Sequence, residues 1–249
     1  MKKYAITVVL ALLVLGLNPS AKASAMNPER ELGPKLLAMS TPLLNKADID
    51  GAEFIEKMIK SAEAYDDYTF EFTMTAYKSG TVVEDGKFFF KKPRLIRMEE
   101  TGSFRHGSIA ILGKNGKVKG KAGGPLGLFT VELSPHSSLL RSANGYPMVD
   151  SDLLSLAQAL KQFLKNGDTA RVTAEPTSLP AGNVYILEVY HDFAKGDLFK
   201  RVAVDSHTML PVEWWDFENN KLVSRSIWRS FKGNIGLSDD VFTVKGEAK

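Results

Sequence analysis

Leu210 to Val244 reads LPVEWWDFENNKLVSRSIWRSFKGNIGLSDDVFTV. Two β-rich runs, Pro211 to Phe217 and Leu222 to Phe231, flank the polar pair Asn219-Asn220, which predicts an antiparallel hairpin. Gly236 to Asp240 then leads into Phe242 as a short exit segment. Successive strand side chains alternate in direction, so Trp214 and Trp215 face opposite sides, and one of them is left outward as an anchor for a partner or a membrane.

The same period of two recurs upstream. From Tyr68 to Tyr77, Phe70, Phe72, Met74 and Ala76 share one side while Thr69, Glu71, Thr73 and Thr75 share the other, the signature of a half-buried antiparallel strand. Thr81 to Val83, Lys87 to Lys91, Leu95 to Glu99, Ser108 to Leu112 and Lys117 to Lys121 read as further strands, with Asn115-Gly116 as a hairpin turn. Ala170 to Ala174, Val184 to Tyr190 and Phe199 to Val204 continue the pattern before the closing hairpin.

Two segments switch to the helical period. Ile49 to Tyr65 carries Phe54, Ile55, Met58, Ile59 and Ala62 on one stripe, with Asp48 or Asp50 as cap. A second helix starts at Ser151 with Asp150 or Ser151 as cap, presents Leu153, Leu154, Leu156, Ala157, Leu160, Phe163 and Leu164, and stops at Gly167. Between strands and second helix, Gly120 to Val149 loses periodicity while keeping Leu126, Leu128, Phe129, Leu133, Leu139 and Leu140; it reads either as a lid or as an ordinary crossover. The order predicts an α+β fold: a strongly curved antiparallel β-sheet wrapped over helices.

The first 25 residues predict a secretory signal. Lys2 and Lys3 precede an apolar run from Ala5 to Leu17, too short to span a bilayer comfortably, and small-residue sites place cleavage before Ser24 or Met26. Residues 26–47 read as an N-terminal arm and 48–249 as a single domain in a monomer, exported to the periplasm. No cysteine is present, which removes lipid attachment at a cysteine, disulfides, thiolate metal sites and cysteine nucleophiles. Losing Lys2, Lys3 and Lys22 with the signal leaves 29 basic against 29 acidic residues, without the excess that a nucleic-acid partner requires. The local lysines 114, 117, 119 and 121 read as solvated turn residues or as an attraction to anionic headgroups.

Leu210-Pro211, the hairpin and the Asp239-x-x-Phe242 ending resemble the C-terminal strands of the LolA-like superfamily of periplasmic lipoprotein carriers. Phe88, Phe90, Pro93, Ile96 and Arg97 match a strand-pair pattern of that family. Gly123 to Gly127, the second helix and the stretch from Val204-Asp205 to Phe242 are similar to an uncharacterised group of exported bacterial proteins. The resemblance implies an incomplete β-barrel whose helices lid an apolar cavity that shields acyl chains. It also implies an arginine latch on the strand after the first helix; that strand has none here, and Arg94 or Arg97 is the substitute.

Covering an acyl chain saves about 0.8 kcal/mol per methylene, and aromatic and methionine side chains supply adaptable area for it. The cavity candidates are Phe70, Phe72, Met74, Phe88, Phe90, Met98, Trp214, Trp228 and Phe231; the same residues equally suit an ordinary core. Lid or latch candidates are Arg94, Arg97, Leu126, Leu128 and Phe129. His106, His136, His191 and His207 are scattered without metal-ligand spacing, and no nucleophile elbow or phosphate loop occurs. The expectation is therefore a non-enzymatic carrier without cofactor or metal, with acylated lipid or lipoprotein as cargo and an inner- or outer-membrane protein as possible partner. The alternative is an envelope lipid sensor or partner-binding module without transfer activity.

Overall fold

The computed structural model describes residues 49–180 and 182–245, so the expected signal and the whole of the arm lie outside the described residues. Asp50 ends a two-residue strand, β1 (Ile49–Asp50), and caps helix α1 (Gly51–Glu63) by accepting the Ala52 N–H at 2.8 Å. Its predicted stripe, Phe54, Ile55, Met58, Ile59 and Ala62, is buried. Helix α2 (Leu153–Lys165) begins one residue later than either predicted cap allows: Asp152 accepts the Ser155 N–H at 2.9 Å, because only it sits where its carboxylate reaches the third helical amide.

Twelve further strands are β2 (Asp67–Ala76), β3 (Val82–Lys91), β4 (Leu95–Glu100), β5 (Ile109–Leu112), β6 (Val118–Lys121), β7 (Thr130–Leu133), β8 (Thr169–Val172), β9 (Thr177–Leu179), β10 (Gly182–Asp192), β11 (Asp197–Asp205), β12 (Pro211–Glu218) and β13 (Lys221–Gly233). They form one open antiparallel sheet in the order β1-β8-β10-β11-β12-β13-β2-β3-β4-β5-β6-β7, with β9 paired to β10 off this path. The β13–β2 pairing brings the closing hairpin beside the first long strand, as Trp228 opposite Phe72 illustrates. Asn219 and Asn220 both take positive φ, which gives the β12–β13 turn the twist a hairpin needs.

Two sequence expectations change here. The gap expected between the strands Thr81 to Val83 and Lys87 to Lys91 is absent: β3 runs straight through Gly86, and the glycine is needed because a Cβ there would overlap the Glu99 carbonyl oxygen and lie 2.5 Å from Phe72 Cζ. The aperiodic crossover is also more ordered than expected, since it holds β7 and three 3-10 turns, Gly124–Leu128, Ser138–Leu140 and Met148–Asp150. Its Gly123 fits where any Cβ would overlap the His106 carbonyl.

The inner face of the sheet is covered in two parts. Both helices pack Phe54, Ile55, Met58, Leu156 and Leu160 onto Val172, Leu187, Val202 and Trp214. Over β2 to β6 the cover is mainly Leu140, Met148 and Val149 of the crossover, joined by Leu153 of α2 and Ala62 near the end of α1. On the opposite face, Leu237, Val241 and Phe242 of the C-terminal segment pack on Phe89, Leu95 and Ile111. The Asp67 carboxylate accepts the backbone N–H groups of Ile235, Gly236 and Leu237, which is why the exit segment turns where it does.

Tyr68 joins the two coverings: its buried hydroxyl accepts the Leu153 N–H at 2.9 Å, satisfying the first amide of α2. Burial, then the Asp152 charge, push the Tyr68 phenol well above its ordinary range, despite the opposing Leu153 bond. Replacing Tyr68 by Phe strands that buried amide, so urea unfolding of Y68F is expected to show a loss of about 1–2 kcal/mol with an unchanged m value.

Candidate functional site

The inner face of β2, β3 and β13 carries a floor of aromatic rings. Phe70 and Phe88 stack with centroids 4.8 Å apart, Tyr68 and Phe90 at 4.8 Å, and Trp228 meets Phe70 edge-on at 6.4 Å. Phe72, Met98 and Phe231 are partly buried against the same cluster, and Met74 is buried one step toward the rim. Eight of the nine cavity candidates therefore share one surface, while Trp214 belongs to the helix-covered part and Trp228 touches both. Trp214 and Trp215 are only 3% and 2% exposed, so neither is the outward anchor that alternation suggested; both faces of β12 are covered.

The latch candidates separate. Arg94 binds the crossover where it enters α2, donating to the Val149 carbonyl at 2.8 Å and to Asp150 at 3.2 Å. Arg97 points to the opposite face and donates to the carbonyls of Val241 and Thr243, each at 2.8 Å, with Glu99 at 2.6 Å. It fastens the C-terminal segment rather than the crossover, because it pairs in register with outward Phe89, not with Phe88 or Phe90. Leu126 and Leu128 lie in the first 3-10 turn of the crossover, and Phe129 beyond it is 60% exposed.

At the rim, beyond Met74, the floor becomes polar. Lys200 and Asp216 form a largely buried ion pair at 2.6 Å. Tyr146 of the crossover accepts from Lys200 at 2.8 Å, and Asp216 further accepts the Trp214 Nε1–H at 3.0 Å and the Ser224 hydroxyl at 2.5 Å. Asn144 donates to Ser224 at 3.2 Å, so the crossover is tied down twice. The Lys200 ammonium lies 5.3–5.6 Å from the ring centres of Tyr146, Phe163, Phe199 and Trp214. Burial alone would lower its pKa, yet the charges and bonds of Asp216 and Tyr146 outweigh it and the pKa is raised: Lys200 stays protonated. Burial, then Asp216, also raise the Tyr146 phenol. A cavity of about 280 Å³ opens beside this network, lined also by Lys78, His191 and Glu218. His191 stacks on Phe199 and is held to Asp168 through Nδ1 at 2.9 Å.

A second buried group faces the same crossover. Glu84 is 2% exposed and accepts the Ala143 N–H at 3.0 Å; Glu100 is 9% exposed and its Oε2 has no partner. Burial raises the Glu84 carboxyl to about 7 against the opposing Ala143 bond and Arg105 charge. Burial, then the Glu84 charge, raise Glu100 to about 8. Neither the rim pair nor these carboxylates was among the sequence candidates. The available signal was parity: Glu84, Lys200 and Asp216 occupy inward positions in otherwise apolar runs, as Trp214 and Asp216 show by sharing one side. Among the described residues no group of three or more His, Asp or Glu is arranged to hold a metal, and no helix is long and apolar enough to cross a membrane.

No family model matches the chain, and no curated protein does. Among solved structures it is similar to a DUF1329 family protein from Desulfovibrio piger, at 12% identity over 78% of this chain and 95% of that one, with a TM-score of 0.42. It is similar to a LolA superfamily protein from Nitrosomonas europaea, at 11% identity over 78% and 98%, TM-score 0.40. It is also similar to a chain of the Pseudomonas aeruginosa MucA/MucB complex, at 10% identity over 78% and 60%, TM-score 0.43.

The two raised carboxyls give stability a definite pH dependence. In the unfolded chain both release protons near 4.5, whereas the folded chain keeps them to about 7 and 8. The folded state binds more protons across that window, so this contribution is complete below pH 4.5 and is lost as pH rises through 7 and 8. Urea unfolding at intervals from pH 5 to pH 8.5 is expected to show falling stability, and Glu84→Gln with Glu100→Gln to flatten the fall.

Proposed function

We propose that this chain is a non-enzymatic binding protein of the cell envelope that shelters acyl chains of a lipid or lipoprotein on its aromatic inner face. One observation carries the reading: the aromatic floor on β2, β3 and β13 is covered by three crossover side chains with only Ala62 at the end of α1 and the first residues of α2, not by a second sheet or a full helix. Such a roof is held at its rim by single polar contacts from Arg94, Tyr146, Asn144 and Ala143. Stacked phenylalanines and Met98 present area that adapts to a flexible chain once the roof lifts. Export to the periplasm, read from the first 25 residues, puts the protein where lipid must cross water between two membranes.

A second reading, a module that binds a protein partner without moving lipid, is favoured by a different feature. Strand β7 ends the sheet path with no strand on its far side among the described residues, beside the exposed Phe129. An extended segment of a partner adds to an edge of this kind through backbone hydrogen bonds.

Titration with an environment-sensitive fluorescent fatty acid separates the two. A carrier takes up the probe saturably at one site, and Arg94→Ala, which removes one exposed rim tie, raises the uptake rate about fivefold, the equivalent of one net hydrogen bond. No uptake by either form rules the carrier reading out and leaves the edge-binding module.

A further inference from the structure

We propose that the rim cavity receives the head of an amphiphile as a zwitterion, one phosphate and one ammonium, while the chain lies on the aromatic floor. The inference rests on the acyl-binding reading for the chain, and on independent observations for the head.

The first is continuity. Ala76 and Ser224, paired across β2 and β13, line the cavity; the next inward-facing pairs are Met74 with Ser226 and Phe72 with Trp228. Each step is two residues along an antiparallel strand, roughly 7 Å, so head cavity and aromatic floor are consecutive stretches of one face. The second is size. At about 280 Å³ the cavity lies just under the usual range for drug-sized ligands, roughly 300–1,000 Å³, and holds on the order of nine waters. A small polar head fits it, and a pair of acyl chains does not.

The third is charge. Lys78 and Lys200 face Asp216 and Glu218 around the cavity, so with His191 neutral the formal sum is zero. An isolated anion or cation meets no net attraction there, whereas a ligand carrying both signs finds a partner for each. Lys200 keeps one N–H on Asp216 and spends a second on Tyr146 while the crossover lies down, so at least one remains for a phosphate oxygen in either position. His191 donates Nδ1–H to Asp168, which leaves the Nε2 lone pair to accept an N–H of the ligand's ammonium. The exposed Lys78–Glu218 pair opens without stranding a buried charge, which releases Lys78 to the phosphate and Glu218 to the ammonium.

Calorimetry with three soluble probes tests this: dihexanoyl-phosphatidylethanolamine, dihexanoyl-phosphatidylglycerol and glycerophosphoethanolamine, with dodecanoate as a chain lacking the zwitterion. The ethanolamine lipid is expected to bind about tenfold tighter than the glycerol lipid, the ratio that one charge-assisted hydrogen bond supplies. Glu218→Gln and His191→Phe, which remove the two acceptors for the ammonium, are each expected to bring that ratio toward one, while Lys78→Ala weakens both lipids. A ratio of one in the unmodified protein, or a ratio that survives both acceptor substitutions, overturns the proposal. Dodecanoate binding with no response to glycerophosphoethanolamine and no lipid preference keeps the carrier reading and removes the head site. Glycerophosphoethanolamine binding without dodecanoate uptake removes the carrier reading and leaves a zwitterion site whose source is a free solute rather than a lipid.

Discussion

The hydroxyl of Tyr68 holding the first amide of α2 is the contact on which the arrangement of the inner face depends. A sheet this long, with one face curved inward, must cover that face, and two 13-residue helices reach only part of it. Where α2 begins decides which part is left to the irregular crossover. Tyr68 sets that point from the centre of the aromatic stack, with its ring on Phe90 and its oxygen at the helix start. The Asp152 cap satisfies the Ser155 amide, so the first and third amides of the helix both have side-chain partners.

The division that follows is between a fixed half and a fastened half. Over β8 and β10 to β12, both helices interlock with aliphatic side chains, and β10 and β11 are apolar on both faces apart from pairs such as Glu188 with Arg201, joined at 2.6 Å. Over β2 to β6 the cover is short and its rim polar. Lys200 and Asp216 would be costly to bury alone, since desolvation of each charge exceeds what their attraction returns at a modest dielectric. Four rings around the ammonium and four donors around the carboxylate compensate, and Tyr146 is shared by both groups. The network therefore exists in this form only while the crossover lies down.

Much of this fold was legible because long elements announce their period. The α1 stripe, the β2 alternation and the Asn219-Asn220 hairpin could be read directly, and Asp50 is one of the two caps that the sequence offered for α1. Strands β1, β7 and β9 could not, since two to four residues hold no period and depend on a neighbour for their geometry. Asp150, Ser151 and Asp152 are three acceptable caps in a row, and backbone geometry alone selects the third. The aromatic floor was legible from parity, while the rim was not: Tyr146, Lys200 and Asp216 meet across a fold that their separation in sequence hides. Arg97 shows the same limit from the other side, because a side chain one register position from the inner face serves a different surface entirely.

On the carrier reading, the energies of the fastened half lie close to balance. Lifting the crossover exposes Leu140, Met148 and Val149, at roughly 1.5–3 kcal/mol each, and breaks about four rim hydrogen bonds worth on the order of 1 kcal/mol apiece. The cost is thus about 9–13 kcal/mol. An acyl chain of twelve to fourteen methylenes, covered at about 0.8 kcal/mol each, returns roughly 10–11 kcal/mol. A roof built from larger apolar area would stay shut against any single chain, and one without the polar rim would stand open in water and expose the floor. Three side chains and a few exchangeable bonds place the opening at the point where the arrival of a chain decides it.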